Sequence, residues 1–132
     1  MKNKYIIGYI LLLLLYFNNS IAQNFTIDGI NYNVIDATNH YVEVASRSAT
    51  SSWNCADEIE IPETVPYLGQ TYTVTRIGDN AFDGCTQLTK VTIPSTIVSM
   101  GNFVFKDNPN LDSIISYMND FPALTGYDSG KA

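Results

Sequence analysis

The sequence predicts a mostly β solenoid of short parallel-strand repeats, preceded by a β-hairpin cap. Three observations carry this expectation. A 23-residue unit occurs almost twice, as Val74–Thr96 and again as Ile97–Asn119. At that offset Ile77 meets Met100, Gly78 meets Gly101, Phe82 meets Phe105, Leu88 meets Leu111 and Val91 meets Ile114. Upstream, Glu58-Ile-Glu-Ile-Pro62 matches Lys90-Val-Thr-Ile-Pro94 position for position, so a third and earlier strand belongs to the same series.

A fixed period of about 20–29 residues around an L-x-x-V-x-I core marks a leucine-rich repeat solenoid. A single rung of such a coil cannot bury both of its stacking faces, so its ends need cover of a different kind. The chain divides accordingly into residues 1–22 as an export signal, 23–73 as a β cap carrying the first solenoid strand, 74–119 as two repeats, and 120–132 as the tail of a shortened array.

The N-terminal segment reads as a secretory signal peptide. Lys2 and Lys4 make a positive start, Tyr5 to Phe17 is apolar apart from Gly8, and Ser20 and Ala22 place small residues before a cut at Gln23. The apolar run is 13 residues, short of the ~20 that span a bilayer as a helix. No stable membrane span is expected after cleavage.

From Gln23 onward the chain has five basic and 13 acidic side chains, a net charge of −8. So negative a surface argues against nucleic acid or anionic membrane as a partner. It is otherwise a statement about solubility.

The cap follows from alternation. Phe25–Ile35 holds two alternating runs around Asp28-Gly29, a tight-hairpin pair. Tyr41–Ala45 is a further short strand. Residues 46–56 form a loop rich in Ser, Ala and Thr, and Val65–Val74 a second hairpin around Gly69. Trp53 and Tyr72 read as aromatics packed near the cap, with a carbohydrate or protein anchor as the alternative.

Cys55 and Cys85 are the two cysteines. In an exported protein a bridge between them is permitted. The repeat places Cys85 where the chain turns into its strand, a position that suits a small buried side chain, so it is expected to pack as a hydrophobe rather than to bridge.

Catalytic and metal chemistry find no support. His40 is the single histidine, no Gly-x-Ser-x-Gly elbow is present, and the thiols and imidazole form no paired ligand motif. Asp79-Asn80-x-x-Asp83-Gly84 resembles a calcium loop in outline, but Ala81 falls where a ligand is needed. The chain is therefore not read as an enzyme, and a hydrolase hidden in the cap is only a remote alternative. No cofactor or metal is expected. Asn24-Phe-Thr26 is an N-glycosylation acceptor if the source glycosylates it.

The pattern I-G-x-x-A-F-x-x-C-x-x-L-T-x-V-x-I-P, here Ile77–Pro94, resembles the repeat of BspA-type leucine-rich repeat proteins. D-G-I-x-Y, I-x-I-P and Y-x-G-x-x-Y-x-V-T-x-I-G upstream resemble the segment that precedes those repeats, so the likeness covers about residues 25–124. It implies an exported or surface-exposed protein with an adhesion role. The implied partners are a protein or glycan at the cell exterior, host extracellular matrix included, and no catalytic residue comes with the repeat.

The chain departs from that pattern at several positions. Leu68 stands where an Asn is favoured before Gly69, Val104 and Asn108 replace Ala and Cys in the second repeat, and Ser116 ends its last strand. Asn119–Leu124 resembles the linker after which relatives continue. A shortened repeat protein with no specific binding is thus the rival reading to an adhesion module.

In the strand L-x-x-V-x-I the intervening residues point outward. Glu58, Glu60, Lys90, Thr92, Ser113 and Ile115 are therefore the expected surface of the concave sheet, with Glu58 beside Lys90 and Glu60 beside Thr92. A solvated face without a ligand is the plainer alternative.

Overall fold

The computed structural model describes residues 23–46 and 55–122. The segment expected to be a signal peptide, Trp53 and most of the C-terminal tail lie outside the described residues. The described chain is mostly strand, without helices: β1 (Asn24–Ile27), β2 (Ile30–Asp36), β3 (Tyr41–Val44), β4 (Glu58–Glu60), β5 (Thr64–Tyr67), β6 (Gln70–Ile77), β7 (Lys90–Ile93), β8 (Ser99–Met100) and β9 (Ser113–Ser116). They form two sheets. One has the order β1-β2-β3-β6-β5 with β8 joined to β6, and the other is β4-β7-β9.

Local chemistry makes the hairpins. Asp28 and Gly29 have φ of +49° and +78°, and Leu68 and Gly69 have +49° and +76°. Two consecutive left-handed residues make a turn whose twist suits an antiparallel pair. Hence β1 pairs with β2 and β5 with β6, both antiparallel. The β2–β3 connection is held differently. The Asp36 carboxylate accepts the backbone N–H of Thr38 and of Asn39 at 2.9 Å each, and the Asn39 side-chain amide at 2.8 Å. These donors favour the ionised form and hold Asp36 below the usual carboxylate range.

The repeat makes the parallel pairing. Ile77 lies opposite Met100 across β6–β8, and Val91 opposite Ile114 across β7–β9, each at the 23-residue offset. β4 pairs with β7 as Glu58–Lys90, Ile59–Val91 and Glu60–Thr92. β3 runs parallel to β6, with Val44 opposite Ile77. Tyr41–Val44 and Glu58–Glu60 therefore lie one below β6 and the other below β7, as two parts of an earlier turn of the same coil.

Between the two sheets lies a single hydrophobic cluster running from Ile30 to Leu111. Inward positions of the repeat fill it: Leu88, Val91 and Ile93 have no exposed surface. Phe82 and Phe105, one repeat apart, stack with ring centroids 5.7 Å apart and planes 5° from parallel. The hairpins join this core through Ile30, Tyr32, Val65 and Tyr72. Tyr72 is buried, edge-on to both His40 and Tyr67, while Phe25 stacks on Tyr67 at 4.0 Å. Burial, reinforced by the charge of Asp28, pushes the Tyr32 phenol above its ordinary value.

One expectation is overturned. Cys85 is buried as the repeat requires, yet it is bridged to Cys55 in a disulfide, with Cα atoms 5.4 Å apart. The reason is stacking. Cys55 lies three residues before β4 and Cys85 five before β7, so the two turns bring both side chains to one column beneath the sheet. In the next turn that column is occupied by Asn108, whose side-chain amide donates to the Phe82 carbonyl at 3.0 Å.

Candidate functional site

The outward surface of β4-β7-β9 is a parallel ladder, and register alone arranges its side chains in rows. Glu58, Lys90 and Ser113 form one row, and Glu60, Thr92 and Ile115 the next. None of the six expected positions is buried: Glu58, Glu60 and Ile115 are exposed, and Lys90, Thr92 and Ser113 are intermediate. Their neighbours Ile59, Val91 and Ile93 are buried on the opposite face. That alternation is the reason the strand can stabilise a core and present polar groups at once.

The rows differ in electrostatics. In the first, Lys90 Nζ lies 2.6 Å from Glu58 Oε2, an ion pair with both side chains well exposed to solvent. Such a pair contributes roughly 0–1 kcal/mol. It orients the two side chains more than it stabilises the fold. In the second row Glu60 has no cation beside it among the described residues. The cations among the described residues are already engaged: Arg76 with Glu43 at 2.6 Å, Lys90 with Glu58, and Lys106 with Asp107 at 3.4 Å.

Past the C-terminal ends of β4 and β7 the surface sinks into an open groove of about 550 Å³, lined by Glu60, Glu63, Thr92, Pro94, Ser95 and Tyr117 among others. The main chain continues the ladder here, since Ile61 N–H donates to Thr92 O at 3.0 Å and Tyr117 N–H to Ile93 O at 2.9 Å. Beyond the paired strands Tyr117 is exposed and Pro62 half-buried, while Pro94 between them is buried. Glu63, Ser95 and Tyr117 are not among the residues expected from sequence. The signal was nevertheless present, because Tyr117 stands one 23-residue period after Pro94.

Among the described residues no group of three or more His, Cys, Asp or Glu side chains is placed to hold a metal ion. In the segment that resembles a calcium loop, the Asp79 carboxylate accepts the backbone N–H of Asn102 at 2.7 Å. His40 sits edge-on to Tyr72. No helix among the described residues is long and apolar enough to cross a membrane.

Comparison with solved structures finds bacterial leucine-rich repeat proteins. A leucine-rich repeat protein from Bacteroides ovatus is 35% identical, with a TM-score of 0.58 over 68% of this chain and 22% of that one. One from Bacteroides capillosus is 21% identical, with a TM-score of 0.59 over 70% and 64% of the two chains. A leucine rich cell surface protein from Faecalibacterium prausnitzii is 22% identical, with a TM-score of 0.60 over 80% and 26%. The chain thus spans between about a fifth and two thirds of the length of these structures. A search of curated protein sequences finds no match. The model of the BspA type leucine rich repeat region, described with six copies, matches residues 52–120, just over half of the chain. With its 23-residue register and parallel ladders, this chain belongs to the BspA-type leucine-rich repeat family.

Proposed function

We propose that this chain is an exported, surface-exposed recognition module that adheres to a protein or glycan at the cell exterior, host extracellular matrix among the partners. Its contact surface is the outward face of β4-β7-β9, and Glu58, Glu60, Lys90, Thr92, Ser113 and Ile115 are the contacting residues. The β1–β2 and β5–β6 hairpins serve as the cap of the solenoid, covering the end of its first turn.

The observation that carries this reading is the pair of outward rows, Glu58–Lys90–Ser113 and Glu60–Thr92–Ile115. They are set side by side by a rigid ladder and are not covered by any other described element. Rigid placement lowers the ordering cost of binding. The surface name of the Faecalibacterium protein, together with family membership, supports an exterior location.

The test is binding of the Gln23–Ala132 protein to a panel of immobilised matrix proteins and glycans. Changing Glu58, Lys90 and Thr92 together to Ala should remove binding and leave the melting temperature within a few degrees. An interaction that survives the triple change would sink the assignment of this face.

A further inference from the structure

We infer that the outer edge of β9 is a dimerisation surface, taken by the β9 of a second copy of this chain running antiparallel about a two-fold axis at Ile115. The inference goes beyond the recognition reading and does not depend on what the outward face binds.

The backbone leaves this edge unfinished. β9 ends the β4-β7-β9 sheet and pairs with β7 alone. Ser113 and Tyr117 turn their N–H groups toward β7, donating to Thr89 O at 3.1 Å and to Ile93 O at 2.9 Å. Alternation turns the N–H and C=O groups of Ile114 and Ser116 to the other side, where no described backbone group meets them. Such an edge is a template for another strand. The core is unfinished at the same place: Val91 has no exposed surface, whereas Ile114, its counterpart one turn later, is only half-buried.

Charge selects a copy of the chain itself. Two copies that are each strongly acidic repel one another over most of their surface. Residues 113–118, Ser-Ile-Ile-Ser-Tyr-Met, carry no charge, and Ile115 and Tyr117 among them are exposed. Uncharged apolar and aromatic surface is what the centre of an interface holds. At the opposite edge of the sheet, β4 carries the exposed carboxylates of Glu58 and Glu60, a device that discourages strand addition.

Register selects the axis. About Ile115, Ile114 of one copy exchanges both backbone hydrogen bonds with Ser116 of the other, and the reverse, so the outward groups of both residues are used. An axis at Ile114 would call on the Asp112 N–H, which already donates to Thr89 O at 2.9 Å. An axis at Ser116 would call on the Met118 N–H, which donates to Ser116 Oγ at 3.2 Å. The Ile115 axis also sets Asp112 opposite Met118 rather than opposite another carboxylate. On the outward side Ile115 meets Ile115 and Ser113 meets Tyr117, so the two outward faces become one continuous sheet.

The experiment is sedimentation of Gln23–Ala132 from about 1 µM to about 1 mM, the span in which a short strand pair should associate. A monomer–dimer equilibrium is expected. Ile115→Lys sets two ammonium groups face to face and should weaken the dimer at least about tenfold, without changing the melting temperature of the dilute monomer. Leu68→Lys, at the exposed tip of the β5–β6 hairpin, makes the same charge change and should leave the dimer as it is. Under mild oxidation Ile115→Cys should give a covalent dimer, because the axis pair brings its Cβ atoms together, whereas Ser113→Cys should not.

A monomer throughout the range, or equal cross-linking by Ile115→Cys and Ser113→Cys, would overturn the proposal. So would masses that grow past the dimer, the mark of β9 adding to β4 of the next copy. Slow amide exchange at Ile114 and Ser116 in the dilute monomer would overturn it too, since the chain would then cover its own edge. A dimer that binds nothing on the panel would overturn the adhesion reading and leave the dimer standing.

Discussion

Asp79 and Asn102 are the same repeat position one turn apart, and the carboxylate of the first accepts the backbone N–H of the second at 2.7 Å. The main chain repeats the link beside it, where Asn80 N–H donates to Asn102 O at 3.0 Å. One turn of the coil therefore caps the backbone of the next. Asp79→Ala should lose about 1 kcal/mol of stability, because the bond is charge-assisted but exposed. Chemical denaturation checks this, and Asp79→Asn should recover part of the loss.

That contact also explains Gly101. A Cβ there would lie 2.5 Å from Asp79 N and 2.8 Å from Gly78 C. At Gly78 it would meet Val44 O at 3.0 Å and the Glu43 side chain at 3.3 Å, a milder approach. Gly101→Ala should cost about 2–3 kcal/mol, in the range of overpacking, and Gly78→Ala clearly less. If the two substitutions lower the urea midpoint equally, close stacking at Gly101 is not the cause.

The Cys55–Cys85 bridge closes a sequence separation of 30 residues and spans two turns of the coil. For a loop of that size the chain-entropy relation gives about 3–4 kcal/mol. Cys55→Ser with Cys85→Ser, or reduction of the native protein, should lower stability by that amount. Thiol titration of the unfolded, unreduced protein should find none, since neither described cysteine is free.

Leu68 holds φ of +49° at the tip of the β5–β6 hairpin and is 76% exposed. It gains little from burial and bears the cost of a left-handed backbone. Leu68→Asn should stabilise by about 1 kcal/mol. A drop in melting temperature would show that Leu68 makes a contact worth more than the strain.

The Tyr32 phenol is raised by burial and by Asp28. The folded chain therefore holds this proton more tightly than the unfolded chain does. Its contribution is complete below the ordinary tyrosine value of 10.0 and is lost as pH rises above it. Stability should fall in strong alkali, and Tyr32→Phe should blunt that part of the fall.

Glu58 and Lys90 show how far the sequence reaches. Their adjacency follows from the match between residues 58–62 and 90–94, and the ladder places them in register with an ion pair at 2.6 Å. Ile77 with Met100 and Val91 with Ile114 follow in the same way from the 23-residue offset. The Asp28-Gly29 hairpin follows from the two residue types that tolerate positive φ.

Other pairs could not be read in advance. Nothing local in Tyr41–Val44 says that it runs parallel to β6, nor that Glu43 meets Arg76 at 2.6 Å. Cys55 and Cys85 are separated by 30 residues where the flanking strands are offset by 32, so no single period aligns them. The groove at Glu60, Glu63 and Tyr117 draws on three turns of the coil.

The sequence by itself determined what depends on periodicity and backbone preference: the repeat, the inward and outward faces, the hairpin turns and the family. Only the tertiary structure decided which side chains from different turns meet, namely the disulfide, the Asp79–Asn102 cap and the lining of the groove past β4 and β7. Periodicity is written into neighbouring residues, whereas those meetings depend on how irregular loops set one turn above another.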